Sequence, residues 1–298
     1  MEKQDKIYLA GHQGLVGSAI LRQLQNRGFG KIITKSHSEL DLTFQERVRL
    51  FFDEIRPDYV FLAAGKTGGV YANDSYRAEF FYENISIQSN IIHQAYLHEV
   101  NKLIFYGCSS MYPKFSPQPM KEEHLLSGYP EPTNEPFAVA KIAGLKMCES
   151  YNRQYGTDFI SVIPTNIYGP NQNYDPMNSL VVPALIRKFH EAKQVNAKEV
   201  LIWGTGRPAR DFLFADDLAD ASIFLMEQSL GDDVFNIASG CDYTIADLAE
   251  IIKEVVGFEG DVVFDVSKPE GVLVKLQDTN KISELGWKYS VDLKEGIQ

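Results

Sequence analysis

The chain has 298 residues, 44% of them hydrophobic, enough to bury a large core and to split into two closely joined lobes. A net charge of −11 argues against nucleic acid as a partner, because phosphate backbones recruit a basic surface. Three cysteines give neither a disulfide framework nor metal-ligand spacing, no apolar run approaches the roughly 20 residues that span a bilayer, and no signal peptide precedes the first strand; a soluble, cytoplasmic protein without a metal is expected.

Ile7-Tyr8-Leu9-Ala10 reads as a buried strand that stops at Gly11 and restarts as a helix from Ser18 to Arg27, closed by Gly28. Gly11 suits the tight turn, Gly14 lets the backbone of Leu15 and Val16 approach a pyrophosphate, and Gly17 lets the helix lie close on the strand. The helix N-terminus adds unpaired N–H groups and a positive dipole end. Glycine triplets are common in loops, but one placed between a strand and a helix near the N-terminus reads as dinucleotide binding.

Ile32-Ile33-Thr34 is the second strand, and Lys35-Ser36-His37-Ser38 follows where an adenosine ribose is read. Lys35 and His37 in place of an acid favour NADP, with NAD the alternative. Thr43 to Glu46 reads as a capping box for a helix to about Glu54. Tyr59 to Ala64 is a fully apolar third strand that carries Ala63, Ala64 and Gly65 to the ligand edge of the sheet. After a long helix, Phe80 to His98, the strand Lys102 to Tyr106 delivers Cys108, Ser110 and Tyr112 to the same edge. The next helix opens at Pro136 and places Phe137 and Lys141 on one face. Phe159 to Pro164 is the following strand, from which Thr165-Asn166 leads out of the sheet.

From there the alternation breaks into a helix (Val181 to Ala192), a strand (Val200 to Trp203), a basic turn (Gly204 to Asp211) holding Arg210, and a helix from Asp216 to Met226. Val234 to Ile237 returns a strand to the main sheet, Thr244 caps a helix to about Val256, and segments at Val262 to Phe264 and Leu273 to Leu276 complete a small lobe. Leu293 to Gln298 reads as a helix cut off after its first turn. His12 reads as structural, and His93, His98, His124 and His190 as helix-surface or loop residues. The expected fold is α/β, a doubly wound parallel Rossmann sheet in residues 1–168. A smaller substrate lobe is expected in residues 169–298, with returns to the main sheet near residues 212–240.

Gly11-His12-Gln13-Gly14, Thr133-Asn134-Glu135-Pro136, Ala140-Lys141-Ile142-Ala143-Gly144, the block Cys148 to Gly156, and Pro164-Thr165-Asn166 with Tyr168-Gly169-Pro170 resemble the GDP-L-fucose synthase family. These are extended short-chain dehydrogenase/reductases acting on nucleotide sugars, and the resemblance runs the length of the chain. It implies an NADP-dependent oxidoreductase, a GDP-linked sugar as substrate, and a homodimer formed through the helices Phe80–His98 and Lys141–Tyr155. In that family a Ser/Tyr/Lys set reduces a 4-keto group with hydride from NADPH, after a Cys/His pair has epimerised C3 and C5. Carried onto this chain, Lys141 is retained. The Tyr has become Phe137, the triad Ser Cys108, the epimerising Cys Ser110, and the acid His Leu180. Gln13 replaces an Arg near the adenosine phosphate, and Val272-Leu273-Val274 a more polar Thr-Pro-Arg. The resemblance also implies Lys141, Pro164 and Asn166 at the cofactor. It implies Asn166, Val181, Lys188, Trp203, Arg210 and Lys275 at the nucleotide sugar, with Arg210 at the diphosphate.

Leu180 has no proton to give, and Ser110 is an alcohol far less acidic than a free thiol at about 8.5, so epimerisation by the family route is not expected. Phe137 cannot donate a proton, and loss of a general acid typically costs a factor of ~10²–10⁴. The main expectation is reduction without epimerisation, with a water, Cys108 or Tyr112 as donor. The competing classes are a catalytically impaired or regulatory binder of dinucleotide and nucleotide sugar, and an oxidase of GDP-sugars with permanently held NAD.

Overall fold

The computed structural model describes residues 1–175, 178–228, 230–231, 233–268 and 271–298. Its strands are β1 (Ile7–Ala10), β2 (Ile32–Ile33), β3 (Tyr59–Leu62), β4 (Lys102–Tyr106), β5 (Phe159–Pro164), β6 (Asn166–Tyr168), β7 (Glu199–Trp203), β8 (Ala209–Phe214), β9 (Val234–Ile237), β10 (Asp242–Thr244), β11 (Asp261–Asp265) and β12 (Val274–Lys275). Six of them form a parallel sheet in the order β2-β1-β3-β4-β5-β9. Every residue of β1, β4 and β5 is buried, as continuous apolar runs covered on both faces require. The strand order reverses between β1 and β3, so the ligand crevice of such a sheet opens at their carboxyl ends.

The helices are α1 (Leu15–Asn26), α2 (Gln45–Ile55), α3 (Val70–Ser75), α4 (Arg77–Leu97), α5 (Glu135–Tyr155), α6 (Val181–Gln194), α7 (Ala215–Met226), α8 (Ile245–Val256), α9 (Asn280–Glu284) and α10 (Leu293–Ile297). On one face of the main sheet α1 and α7 bury Ile20, Leu24, Leu218 and Ile223, and are tied by Arg22–Asp216 and Arg27–Asp220. On the other face α2, α4 and α5 bury Phe52, Ile91 and Leu145. A third cluster, with Phe189, Leu248, Ile252 and Phe258, lies between α6 and α8 over β7 and β11. Among the described residues no helix is long and apolar enough to cross a membrane.

The return of β9 to the main sheet and the Thr244 cap, whose hydroxyl accepts from Asp247 N at 3.0 Å, match the expected pattern. Other local expectations are corrected. Thr43 does not cap α2, because its hydroxyl donates to Asp41 at 2.7 Å and Phe44 takes the cap position. The basic turn ends early, and Arg210 lies on β8, paired with β10, β12 and β6. Asp211 makes that strand possible: fully buried, its carboxylate accepts from Ser239 N, Ser239 Oγ and Gly240 N at 3.1, 2.9 and 2.7 Å. His98 is not on the surface either; its ring packs on Phe52 and bonds to Asp53 at 2.9 Å.

Candidate active site

Gly11 is the pivot at the end of β1. At φ +87° it adopts a backbone that favours glycine, and a Cβ there would lie 2.7 Å from the Ala63 and Ala64 backbone, so β1 and β3 can end side by side. A Cβ on Gly17 would overlap the Gly11 carbonyl, which explains how α1 comes so close to the loop. Gly14 differs from both. Its φ of −78° suits any residue, and a Cβ would meet only the Gly11 oxygen at 3.5 Å. The fold does not demand glycine at 14, and its lack of a side chain leaves free space beside the start of α1. No side chain caps α1, so the N–H groups of its first turn, at Leu15 and Val16, remain available beside that space. Gln13 is exposed on the same loop.

Lys35 and His37 follow β2, with Lys35 3.6 Å from Glu39 and the exposed His37 3.8 Å from Asp41. Such exposed pairs are weak and leave both side chains able to turn to a phosphate.

The carboxyl ends of β3 and β4, with α5 behind them, assemble the centre. Lys141 on α5 is 6% exposed and makes no hydrogen bond or ion pair among the described residues. Its ammonium faces the Phe105 ring at 5.0 Å and the Phe137 ring at 6.0 Å. Loss of water pulls its pKa down from 10.5 to about 8, opposed by Cys108. A Cβ on Gly65 would lie 3.5 Å from Lys141 Nζ and 2.7 Å from Asn84 Oδ1. Asn84 donates its amide to the Lys66 and Phe80 carbonyls at 3.0 and 2.7 Å, leaving Oδ1 buried without a partner. A buried ammonium and a buried amide oxygen, both unsatisfied beside Gly65, fit a polar ligand passing across that residue.

Cys108 opens a short turn after β4, where its N–H donates to Met111 Sδ at 3.3 Å and its Sγ lies 3.4 Å from Ser110 Oγ. Phe137 sets its ring edge-on to Phe80 at 6.2 Å. Loss of water also lowers the pKa of Lys275 to about 8, opposed by Cys108. β12 holds Lys275 opposite Arg210 on β8. Arg210 Nη1 donates to the Ala209 and Val272 carbonyls at 2.7 and 2.8 Å, and burial lowers its pKa. Among the described residues no carboxylate makes an ion pair with Lys141, Lys275 or Arg210; Glu131 acts on Lys275 only at longer range and is paired with Lys114 at 3.0 Å. In a chain of net charge −11, three cations without a carboxylate partner among the described residues, Lys141, Lys275 and Arg210, fit an anionic ligand.

Residues 7–238 match the model of the NAD dependent epimerase/dehydratase family. GDP-L-fucose synthase 1 of Arabidopsis thaliana is 54% identical over 296 residues, covering 99% of this chain and 92% of the relative. GDP-L-fucose synthase of Escherichia coli K12 is 50% identical over 308 aligned residues, covering 100% and 95%. The chain belongs to the GDP-L-fucose synthase family. Among solved structures, the GDP-mannoheptose C4 reductase of Campylobacter jejuni with NADP bound superposes with a TM-score of 0.93 at 43% identity, covering 100% of this chain and 97% of that one.

Other positions implied by the GDP-L-fucose synthase resemblance fall into two groups. Pro164 ends β5, and Asn166 begins β6 with its amide donating to the Asp211 carbonyl at 2.9 Å. Leu180 is half-exposed at the start of α6, directly after Ser179, whose carbonyl abuts Gly69 on the loop beyond β3. Val181 is half-buried on the first turn of α6, and Lys188 Nζ donates to the Leu201 carbonyl of β7 at 3.1 Å. Trp203, at the end of β7, is 60% exposed and so is not a core residue; Lys268 lies over its ring at 5.8 Å.

Tyr112 is a correction. Its hydroxyl donates to Asn236 Oδ1 at 2.6 Å, inside a buried network that Gln277 Nε2 joins at 2.8 Å, and burial drives its pKa far upward. It holds β4 to β9 and has no proton for the crevice. Two features were missed. Asn84 shared a helical repeat with Ile87 and Ile91, and the signal was a polar side chain on the buried stripe of a helix. The placement of Lys275 opposite Arg210 joins segments far apart in sequence, and only the β8–β12 pairing reveals it.

Proposed function

We propose that the protein is an NADP(H)-dependent reductase of a GDP-linked 4-keto sugar that lacks the C3/C5 epimerisation of its relatives. The observation that carries this reading is the set of cations with no ion pair among the described residues, Lys141, Lys275 and Arg210, together with the uncapped glycine-loop helix. The pyrophosphate of the dinucleotide meets Gly14 and the first turn of α1, Lys35 and His37 meet the 2′-phosphate, and Ala63, Ala64 and Gly65 pass beside the cofactor. Lys141 holds the nicotinamide ribose. When bound, the dinucleotide supplies hydride. Residues 169–298 contribute Trp203, Val181 and Lys188 toward the base and Arg210 toward the diphosphate, completing a division into a dinucleotide lobe of residues 1–168 and a substrate lobe.

Epimerisation needs an acid and a base at the sugar. Leu180 offers neither, and Ser110 is an alcohol, whereas reduction needs hydride geometry, an electrostatic environment and one proton. Solved relatives described as a GDP-mannoheptose C4 reductase and a GDP-6-OMe-4-keto-L-xylo-heptose reductase make reduction a natural use of this framework. A homodimer through α4 and α5 belongs to the same reading: the two helices pack together yet leave Phe81, Val139 and Tyr155 40% or more exposed.

Incubation with NADPH and GDP-4-keto-6-deoxymannose in deuterated water tests the proposal. The expected result is NADPH oxidation with no deuterium at C3 or C5. Deuterium at either carbon refutes the loss of epimerisation, and tight NADPH binding without turnover of any GDP-4-keto sugar favours a regulatory binder.

A further inference from the structure

β8 changes partners along its length. Ala209 and Arg210 pair with β12, Phe212 to Phe214 pair with β6, and Asp211 lies at the handover. Its carbonyl accepts from Thr165 Oγ1 at 3.1 Å and from Asn166 Nδ2 at 2.9 Å, two residues that directly follow the end of β5 at Pro164. Its carboxylate reaches the turn that follows β9. There Oδ1 accepts from Ser239 N and Oγ at 3.1 and 2.9 Å, and Oδ2 from Gly240 N at 2.7 Å. β5 and β9 are neighbours in the main sheet, and Thr165 N donates to the Ile237 carbonyl at 3.0 Å. One fully buried residue of β8 is thus fixed to the carboxyl ends of two adjacent main-sheet strands. Burial raises the Asp211 pKa to about 6, opposed by the bonds from Ser239 and Gly240, so above that pH the charged carboxylate engages all three donors.

Arg210 is the preceding residue. Successive side chains of a strand leave on opposite faces, so anchoring Asp211 on one face fixes where the Arg210 side chain starts on the other. β10 and β12 bracket the same position through Tyr243 and Lys275, and β10 begins two residues after Gly240. We propose that Asp211 is a positioning residue for the nucleotide sugar, holding Arg210 in the direction from which its guanidinium meets the diphosphate. The inference rests on the assignment of Arg210 to that group. An arginine fork recognises an anion by direction as well as by charge, so a tilt of its strand costs affinity even where the charge remains. Asp211→Asn keeps the shape of the side chain, yet its amide N–H groups would face the N–H of Gly240 or of Ser239, and at least one bond would be lost.

The test is equilibrium binding of GDP-mannose, which carries the diphosphate but no 4-keto group, so the readout is independent of turnover. Asp211→Asn is expected to weaken GDP-mannose binding about tenfold, and Ser239→Ala, which removes one donor from the carboxylate, about threefold to fivefold. NADPH binding to both variants should stay within about threefold, as an intact main sheet requires. In an Arg210→Ala background either variant should change GDP-mannose affinity by less than about twofold, because the residue through which it acts is gone. Losses of the same size in both backgrounds indicate general deformation of the lobe and overturn the proposal, as does an Asp211→Asn protein whose affinity is unchanged. Should Asp211→Asn not fold, the cycle between Ser239→Ala and Arg210→Ala decides on the same criteria. If Arg210→Ala alone leaves GDP-mannose binding unchanged, the diphosphate assignment itself fails, and the proposal with it.

Discussion

Lys141 permits a prediction whose sign is opposite for stability and for activity. Its ammonium is 6% exposed and has no acceptor among the described residues. Lowering of its pKa from 10.5 to about 8, at about 1.36 kcal/mol per pH unit, makes burial of the charged form unfavourable by roughly 3 kcal/mol below pH 8. The Phe105 and Phe137 ring faces offset ~0.5–2 kcal/mol of that. Lys141→Met keeps the volume of the stem and removes the charge, so protein stripped of nucleotide should gain about 1–3 kcal/mol at pH 7, at about 2–4 °C of Tm per kcal/mol. Because the folded pKa is depressed, the unfolded chain binds more protons between pH 8 and 10.5, and the unmodified protein gains stability as pH rises through that window. The advantage of the variant therefore shrinks from pH 8 to 10.5. Urea titrations at pH 7 and pH 10 measure both quantities, and steady-state assays with NADPH should show turnover of the variant falling by at least about a hundredfold. A variant less stable than the parent at pH 7, or a stability difference independent of pH, refutes the reasoning.

Gly14→Ala should leave Tm within about 2 °C, because the backbone and space suit Ala and the small losses and gains at a helix cap nearly cancel, yet raise the Kd for NADPH at least about tenfold. Gly17→Ala should instead lower stability by about 1–3 kcal/mol, read by chemical denaturation, because its Cβ would overlap the Gly11 carbonyl; equal behaviour of the two variants in melting and binding contradicts the assignment of Gly14 to the ligand. Arg210→Ala should raise KM for the nucleotide sugar by about tenfold to a hundredfold with a smaller change in NADPH binding if it meets the diphosphate as proposed. Tyr112→Phe should lose about 1 kcal/mol of stability through the Asn236 bond and keep kcat within about threefold; a collapse in kcat would return Tyr112 to the site.

The main sheet was legible because β1, β4 and β5 are buried on both faces and so read as largely apolar runs, with only Lys102 and Ser161 as polar members. The glycine loop was legible for the opposite reason: Gly11 and Gly17 are forced by backbone contacts that a short motif encodes. β8 was not, since Arg210-Asp211 interrupts its apolar pattern and the buried Asp211 is satisfied by Ser239 and Gly240, a partner set invisible to any local window. The same limit hid the setting of Lys275, which lies on a two-residue strand that exists only by pairing with β8.

These two kinds of legibility bear on whether the site is a relic. A chain that had given up all ligand chemistry would gain stability by replacing a buried, acceptor-free ammonium with an apolar side chain. Lys141 nevertheless stays charged and unpartnered against two rings, and Gly14 leaves a space that the fold does not require. Departures from good packing and pairing in an otherwise consistent structure concentrate where a ligand completes them. Here both departures lie beyond the carboxyl ends of β1 and β3, where a sheet of this strand order opens its ligand crevice.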